Sequence, residues 1–244
     1  MSKEELVLTI IYAHRGAAGE FPENTMLAFE EAYKQGADGI ELDVQLSKDG
    51  VPVIIHDESL KRITKKKGMI KDKTYEELRK IDVSFKFPEY AEKAIIPTLE
   101  EFLEWVQDKD LLLNIELKNS IVLYKGLEEK TIELCKKYNV CDRVVLSSFN
   151  HYSMVLCKKL DPEIKTALLV DELLFEPWKY VKSVGADALH TNYKSLPRFV
   201  IEGCVKNNIP VRSYTVNKKE DIALFKQLGI DAIFTDFPKL GKDA

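Results

Sequence analysis

A chain of 244 residues with 45% apolar side chains is long enough to bury a sizeable core, as one large domain or two small ones. Its 36 Lys and Arg against 40 Asp and Glu leave a net charge of -4, which argues against a nucleic-acid polyanion as bulk partner and confines charge recognition to local sites. The four cysteines, Cys135, Cys141, Cys157 and Cys204, form no CxxC pair and fall mostly in helix-like segments, as expected in a reducing compartment.

The chain starts MSKEELVLTIIYAHRG, where acids precede a short apolar run that is wrongly flanked for a signal peptide. No later run has the length to span a bilayer, so the expectation is a cytoplasmic protein without a stable membrane anchor. Apolar strand-like runs then recur: LTIIYA (8 to 13), GIELDVQLS (39 to 47), LLLNIELK (111 to 118), RVVLSSF (143 to 149), KTALLV (165 to 170), ALHTNY (188 to 193), PVRSYTV (210 to 216) and AIFTDF (232 to 237). Between them lie helical patterns. Asn24 or Thr25 caps the first, which carries Met26, Phe29 and Tyr33 on one face and stops at Gly36. The others are 98 to 106, 126 to 138, 151 to 160, 177 to 185, 197 to 207 and 218 to 229, whereas the final PKLGKDA is too short for a full helix.

Strict alternation argues for a parallel sheet, and eight units in about 250 residues match a (β/α)8 TIM barrel better than an open doubly wound sheet. No GxGxxG supports the open alternative. The misfit is 58 to 97, where one helix is expected at TYEELRKI (74 to 81). So long a connection after the second strand reads as an inserted cap or lid subdomain on a single catalytic domain spanning 1 to 244. The KKK run at 65 to 67 reads as a solvated loop.

Two strands carry the chemistry. In a parallel barrel both strand faces are covered, so a polar face has nowhere favourable to go. Yet Glu41 and Asp43 share one face of the second strand, and Asn114, Glu116 and Lys118 share one face of the third. Side chains at i and i+2 stand about 7 Å apart at Cα, close enough to converge on one hard cation, Mg²⁺ or Ca²⁺ with Mn²⁺ also possible. The bland alternative is a half-exposed antiparallel strand with its polar face in water. His14, Arg15 and Gly16 follow the first strand at the barrel face where active sites of this fold lie, and His56 closes the VPVII run. Two histidines at one mouth suit proton transfer to and from a phosphodiester, and an arginine fork suits phosphate. His151 reads as a helix-start residue facing solvent, while His190, Phe149 and Tyr214 lie near strand ends where they line the pocket or pack in the core.

HRG at 14 to 16, PENT at 22 to 25, ELDVQLSKDGVPVIIHD at 41 to 57, IPTLEE at 96 to 101, NIELK at 114 to 118, YTVN at 214 to 217 and TDFP at 235 to 238 occur in order. Together they resemble the glycerophosphodiester phosphodiesterase family. The resemblance implies hydrolysis of a small-molecule glycerophosphodiester to an alcohol and sn-glycerol 3-phosphate. It makes His14 and His56 the general acid and base, Glu41, Asp43 and Glu116 the ligands of one divalent cation, and Arg15 and Lys118 the phosphate holders. The family mechanism has the glycerol 2-hydroxyl attack phosphorus and water open the resulting cyclic phosphate. Many members have tryptophan where this chain has Tyr214, which bears on substrate preference more than on the reaction.

Three rivals are weighed. A lysophospholipase D-type enzyme on longer lipids would be favoured by an apolar channel under the 58 to 97 insertion. A phosphosugar isomerase or aldolase would need glycine-rich loops after the last two strands, which read NKKED and PKLG. A silent glycerophosphate-binding domain would not need both proton carriers. Monomer and homodimer are not distinguished.

Overall fold

Alternation of strand and helix patterns closes into a ring. The computed structural model describes residues 9–244; Leu8 of the first expected strand and the acidic leader before it lie outside them. In chain order the elements are β1 (Ile10–His14), α1 (Met26–Lys34), β2 (Gly39–Leu46), β3 (Pro52–Ile54), α2 (Lys61–Thr64), α3 (Tyr75–Leu78), α4 (Leu99–Val106), β4 (Leu112–Leu117) and α5 (Leu127–Lys137). Then follow β5 (Val144–Ser148), α6 (His151–Leu160), β6 (Lys165–Val170), α7 (Pro177–Val184), β7 (Ala188–Asn192), α8 (Arg198–Lys206), β8 (Val211–Tyr214), α9 (Lys219–Gln227), β9 (Ala232–Thr235) and α10 (Pro238–Asp243).

Eight strands pair in parallel, and β1 closes the barrel by pairing with both β2 and β9. The ninth, β3, folds back antiparallel on β2, with Val44 opposite Ile54, so the SKDG turn returns the chain toward the barrel mouth and leaves His56 there. The expected (β/α)8 barrel is therefore present, with one extra hairpin strand.

Side-chain parity separates two cores. Ile40, Leu42 and Val44 of β2 and Leu113, Ile115 and Leu117 of β4 point outward and are buried under the helices. Truncating any of them to alanine costs about 2–5 kcal/mol, the usual range for a buried aliphatic. The alternate residues point inward. Tyr12 and Phe234 stack there at 5.0 Å between ring centroids, and Glu41, Asp43, Gln45, Asn114, Glu116 and His190 occupy the rest.

Helix starts follow their caps. Thr25, rather than Asn24, caps α1 by accepting from Ala28 N at 3.2 Å. Thr98 and Glu101 form a capping box on α4. A second capping box, Thr74 with Glu77, starts α3, which runs only four residues rather than the eight expected. PKLGKDA does form a helix, six residues long; Pro238 sits at its start, and Gly241 packs so closely that a Cβ there would lie 2.6 Å from Ile11.

The 58–97 segment has a small apolar core of its own, in which Leu60, Ile70, Leu78, Val83, Ala94 and Ile96 pack with Val53 and Ile55. Lys65, Lys66 and Lys67 are exposed, and the Lys65 ammonium lies 4.3 Å from the Phe85 ring centroid. No disulfide forms: all four cysteines are free, and three are buried. Among the described residues no helix is long and apolar enough to cross a membrane.

Candidate active site

Strand register assembles the polar faces. Side by side, β1, β2 and β4 put His14 opposite Glu41 and Glu41 opposite Asn114, while Asp43 stands opposite Glu116. Oxygens of Glu41, Asp43 and Glu116 lie within 4.8 Å of one another, and all three residues are buried. Three carboxylates so close repel. Burial pushes the Glu41 carboxyl well above its ordinary range, with Asp43 and Glu116 adding to the rise. Glu116 is raised too, by burial first and then by Asp43. Asp43 goes the other way: burial works against its charge, but His56, Arg15 and Lys118 outweigh that and hold it ionised.

Two cations answer this charge. Arg15 takes a left-handed backbone, φ 56°, which lets its N–H donate to Glu41 Oε2 at 2.8 Å. Its guanidinium lies 3.4 Å from Asp43 Oδ2 and donates to Glu23 Oε1 at 3.1 Å. Lys118 donates from Nζ to Glu116 Oε1 at 2.8 Å and stands 3.9 Å from Asp43 Oδ1. Burial disfavours its charge, yet Glu116 and Asp43 raise its pKa overall. Both residues expected to hold phosphate are thus engaged by the carboxylates.

Each histidine has a carboxylate behind it. His14 Nδ1 lies 2.7 Å from Asp236 Oδ1, and Asp236 accepts from Asn217 Nδ2 at 2.6 Å while its own N–H donates to Asn217 Oδ1 at 2.9 Å. His56 Nδ1 lies 2.5 Å from Asp57 Oδ1, and its Nε2 faces Lys118 Nζ at 3.2 Å. Both carboxylates titrate below their ordinary range. Burial opposes the shift in each case and is outweighed, at Asp57 by His56 and Arg62 and at Asp236 by His14 and Asn217. An ionised carboxylate can only accept, so each Nδ1 carries a proton, and in the neutral ring Nε2 presents its lone pair.

A cavity of about 350 Å³ opens on this cluster. Its polar lining includes His14, Arg15, Glu41, His56, Glu116 and Lys118, and its apolar lining Ile121, Phe149, Leu169, Tyr214 and Phe234. The rings of Phe149 and Tyr214 meet edge to face at 6.2 Å, and the Tyr214 hydroxyl donates to Val170 O at 2.8 Å. None of the residues from 58 to 97 lines this cavity; its apolar lining comes from β6, β8 and β9 and from the loops after β4 and β5. His190 reaches the cavity as a fully buried residue whose Nδ1 has no hydrogen-bond partner among the described residues. His151 stays outside, bonded to Tyr180 Oη and to Leu169 O.

Sequence reasoning singled out the two histidines, three carboxylates and two cations that meet here. It gave no role to Asp236, Asn217, Asp57, Glu23 or Arg62. Asn24, an alternative to Thr25 as the cap of α1, instead donates from Nδ2 to Asp43 Oδ2 at 2.8 Å. Most of these stood inside the quoted PENT, HD, YTVN and TDFP stretches, the only signal available.

Known proteins similar to this chain identify its family. The profile of the glycerophosphoryl diester phosphodiesterase family matches residues 14–240. Proteins named glycerophosphodiester phosphodiesterase from Caldanaerobacter subterraneus and Bacillus altitudinis are each 47% identical, covering 95% of this chain and 95% and 96% of their own lengths. A solved Oleispira antarctica phosphodiesterase in complex with the product sn-glycerol-3-phosphate superposes with a TM-score of 0.88 at 32% identity, covering 97% of this chain and 96% of that one. The glycerophosphodiester phosphodiesterase structure from Agrobacterium tumefaciens gives 0.84 at 27% identity, over 97% of this chain and 100% of that one. The chain accordingly belongs to the glycerophosphoryl diester phosphodiesterase family, a family of phosphodiester hydrolases.

Proposed function

We propose that this chain hydrolyses glycerophosphodiesters to an alcohol and sn-glycerol 3-phosphate in two steps through a cyclic glycerol phosphate, with one divalent cation held by Glu41, Asp43 and Glu116. The observation that carries the reading is the convergence of those three buried carboxylates with two carboxylate-backed histidines in one cavity. The product complex of the Oleispira relative supports the choice of substrate.

The carboxylates fit a hard cation. Asp43 Oδ1 is buried without a hydrogen-bond partner among the described residues, and an oxygen cluster of this kind suits Mg²⁺, Ca²⁺ or Mn²⁺. When bound, such an ion supplies positive charge against the phosphoryl oxygens. The remaining work belongs to the chain. One histidine Nε2 accepts the proton of the glycerol 2-hydroxyl as its oxygen forms a bond to phosphorus; the other, protonated, gives its proton to the departing alcohol oxygen as that P–O bond breaks. Water then opens the ring with the roles reversed. Lys118 donates to His56 Nε2 at 3.2 Å, so this nitrogen becomes available for substrate as Lys118 turns to the phosphate. Arg15 is the second phosphate contact, and Phe149 and Tyr214 pack on the apolar part of the substrate. Four free cysteines, three of them buried, support a cytoplasmic place of action.

A second reading, cleavage of lysophospholipid headgroups, is favoured by the apolar wall and by what lies beyond it. Ile121 and Leu123 after β4, and Leu173 and Phe175 after β6, are exposed on loops at the same end of the barrel.

The test is release of glycerol 3-phosphate from glycerophosphoethanolamine and from a lysophospholipid by purified protein. Chelation abolishes turnover and Mg²⁺, Mn²⁺ or Ca²⁺ restores it; full activity in chelator overturns the metal assignment. His14→Ala and His56→Ala each lower kcat by ~10²-fold or more. Near-normal turnover in either removes that residue from the mechanism.

A further inference from the structure

We propose that Arg62 is a positioning residue which fixes His56 and Arg15 at once, so that the 58–97 segment serves the reaction as a buttress beside the site. Arg62 lies on α2, five residues beyond Asp57. Its Nε donates to Asp57 Oδ2 at 2.6 Å and its Nη2 to Asp57 Oδ1 at 3.3 Å. The same guanidinium donates to Glu23 through Nη1 at 2.7 Å and Nη2 at 2.6 Å. Each carboxylate carries a second load: Asp57 Oδ1 holds His56 Nδ1, and Glu23 Oε1 holds Arg15 Nη1. An unbroken line of bonds therefore runs from His56 through Asp57, Arg62 and Glu23 to Arg15.

A surface ion pair taken alone is worth little, and Arg62 is 45% exposed. Geometry sets this one apart. All three guanidinium nitrogens are used, the contact to Glu23 is bidentate, and one rigid plane spans two carboxylates from different parts of the chain. Glu23 stands on the loop after β1 and Asp57 on the loop after the β3 hairpin strand. The four-residue α2 has no buried residue and no side-chain cap, so helix packing of its own does not set where Arg62 stands. The buried Leu60 and Ile70 of the 58–97 core flank it and anchor the segment. Glu23 titrates below its ordinary range, since Arg62 and Arg15 outweigh the burial that opposes its charge. Both carboxylates therefore stay ionised where they hold Nδ1–H of His56 and the guanidinium of Arg15.

The inference rests on the reading of His56 as a proton carrier and Arg15 as a phosphate contact. Arg62→Lys tests it, because lysine keeps the charge but brings one nitrogen to two carboxylates. The expected result is a loss of about tenfold or more in kcat/KM, with kcat falling through the His56 arm and KM rising through the Arg15 arm. Melting temperature and Mn²⁺ affinity stay close to those of the unaltered chain, since neither a core residue nor the acidic triad is touched. In an Asp57→Asn background, already broken on the His56 arm, Arg62→Lys lowers kcat little further and still raises KM. Values of kcat and KM both within about twofold of the unaltered chain overturn the proposal, as does full multiplication of the two kcat effects. If Arg62→Lys does not melt cooperatively, Glu23→Gln decides: a raised KM supports the proposal and an unchanged KM overturns it. His56→Ala separates the two failures. Normal turnover there sinks the reading of His56 itself, whereas a dead His56→Ala beside an unimpaired Arg62→Lys sinks only the role of Arg62.

Discussion

Asp236→Asn removes one charge and almost no volume, so it isolates what the carboxylate behind His14 contributes. His14 titrates below the usual imidazole range because burial disfavours its charge, with Arg15 adding repulsion, and together these outweigh the support of Asp236. A bond of 2.7 Å to an ionised acceptor is charge-assisted. Such bonds are worth about 1.5–3 kcal/mol when imidazolium forms. Losing one lowers kcat/KM by about 10- to 150-fold at about 1.4 kcal/mol per factor of ten. If the amide presents its NH₂ to Nδ1, it imposes the wrong tautomer and the loss reaches the top of that range or beyond. The sign of the pH effect is fixed as well: Asp236 raises the His14 pKa, so removing it moves the His14 limb of the pH–rate profile to lower pH. The assay is initial-rate release of glycerol 3-phosphate across pH, with a melting curve to confirm folding. A variant within about threefold of the unaltered chain, its profile unmoved, refutes the reasoning.

Two further outcomes follow from burial and backbone geometry. Because the folded Glu41 pKa is raised, its stabilising share is complete below the ordinary carboxylate range and is lost as pH rises through the folded value. In chelator at alkaline pH, Glu41→Gln therefore melts above the unaltered chain, and it forfeits both activity and the melting gain on adding Mg²⁺ or Mn²⁺; a lower melting point in chelator contradicts this. Gly16→Ala is the opposite case: the residue sits at φ +80°, and a Cβ would lie 2.7 Å from the Ala28 carbonyl carbon and oxygen. It destabilises by about 2–4 kcal/mol in denaturant unfolding, and a loss under about 1 kcal/mol means that the loop after β1 shifts freely.

The barrel was legible because it depends on local periodicity. Ile40, Leu42 and Val44 alternate with Glu41, Asp43 and Gln45, and once both faces of a parallel strand are covered the polar one can only turn inward. Thr98 with Glu101 and Asn150 before α6 are local signals too, readable within a few residues. What stayed hidden depends on closure. Asp236 reaches His14 across 222 positions of sequence because β9 happens to lie beside β1. Arg62 reaches Glu23 across 39 positions, through a segment whose helices are too short to show a period. An apolar channel under that segment would have favoured longer lipid substrates. The apolar lining, Ile121, Phe149, Leu169 and Phe234, comes instead from β6, β9 and the loops after β4 and β5, while the 58–97 core turns its own apolar side chains onto Val53 and Ile55.

The charge of the cavity explains why its cations face its carboxylates and why they can be released. Within the acidic cluster alone, apart from Asp171 at the cavity wall and the carboxylates behind the two histidines, Glu41, Asp43 and Glu116 stand against Arg15 and Lys118, which leaves one negative charge in excess when both histidines are neutral. The raised Glu41 pKa, caused by burial and by Asp43 and Glu116, is the mark of that excess. On the proposed metal assignment a divalent ion reverses the balance to one positive charge and weakens the hold of Glu116 on Lys118 and of Asp43 on Arg15. A phosphodiester carries one negative charge and restores neutrality; the phosphomonoester product carries nearly two and overshoots it. The same cluster that favours entry of the diester thus disfavours retention of its product, and it orders binding with the cation first. In chelator the diester and glycerol 3-phosphate should both bind weakly, and saturating Mg²⁺ should strengthen the diester more than the product. Stronger strengthening of the product, measured by competition against turnover, would show that charge balance does not govern release.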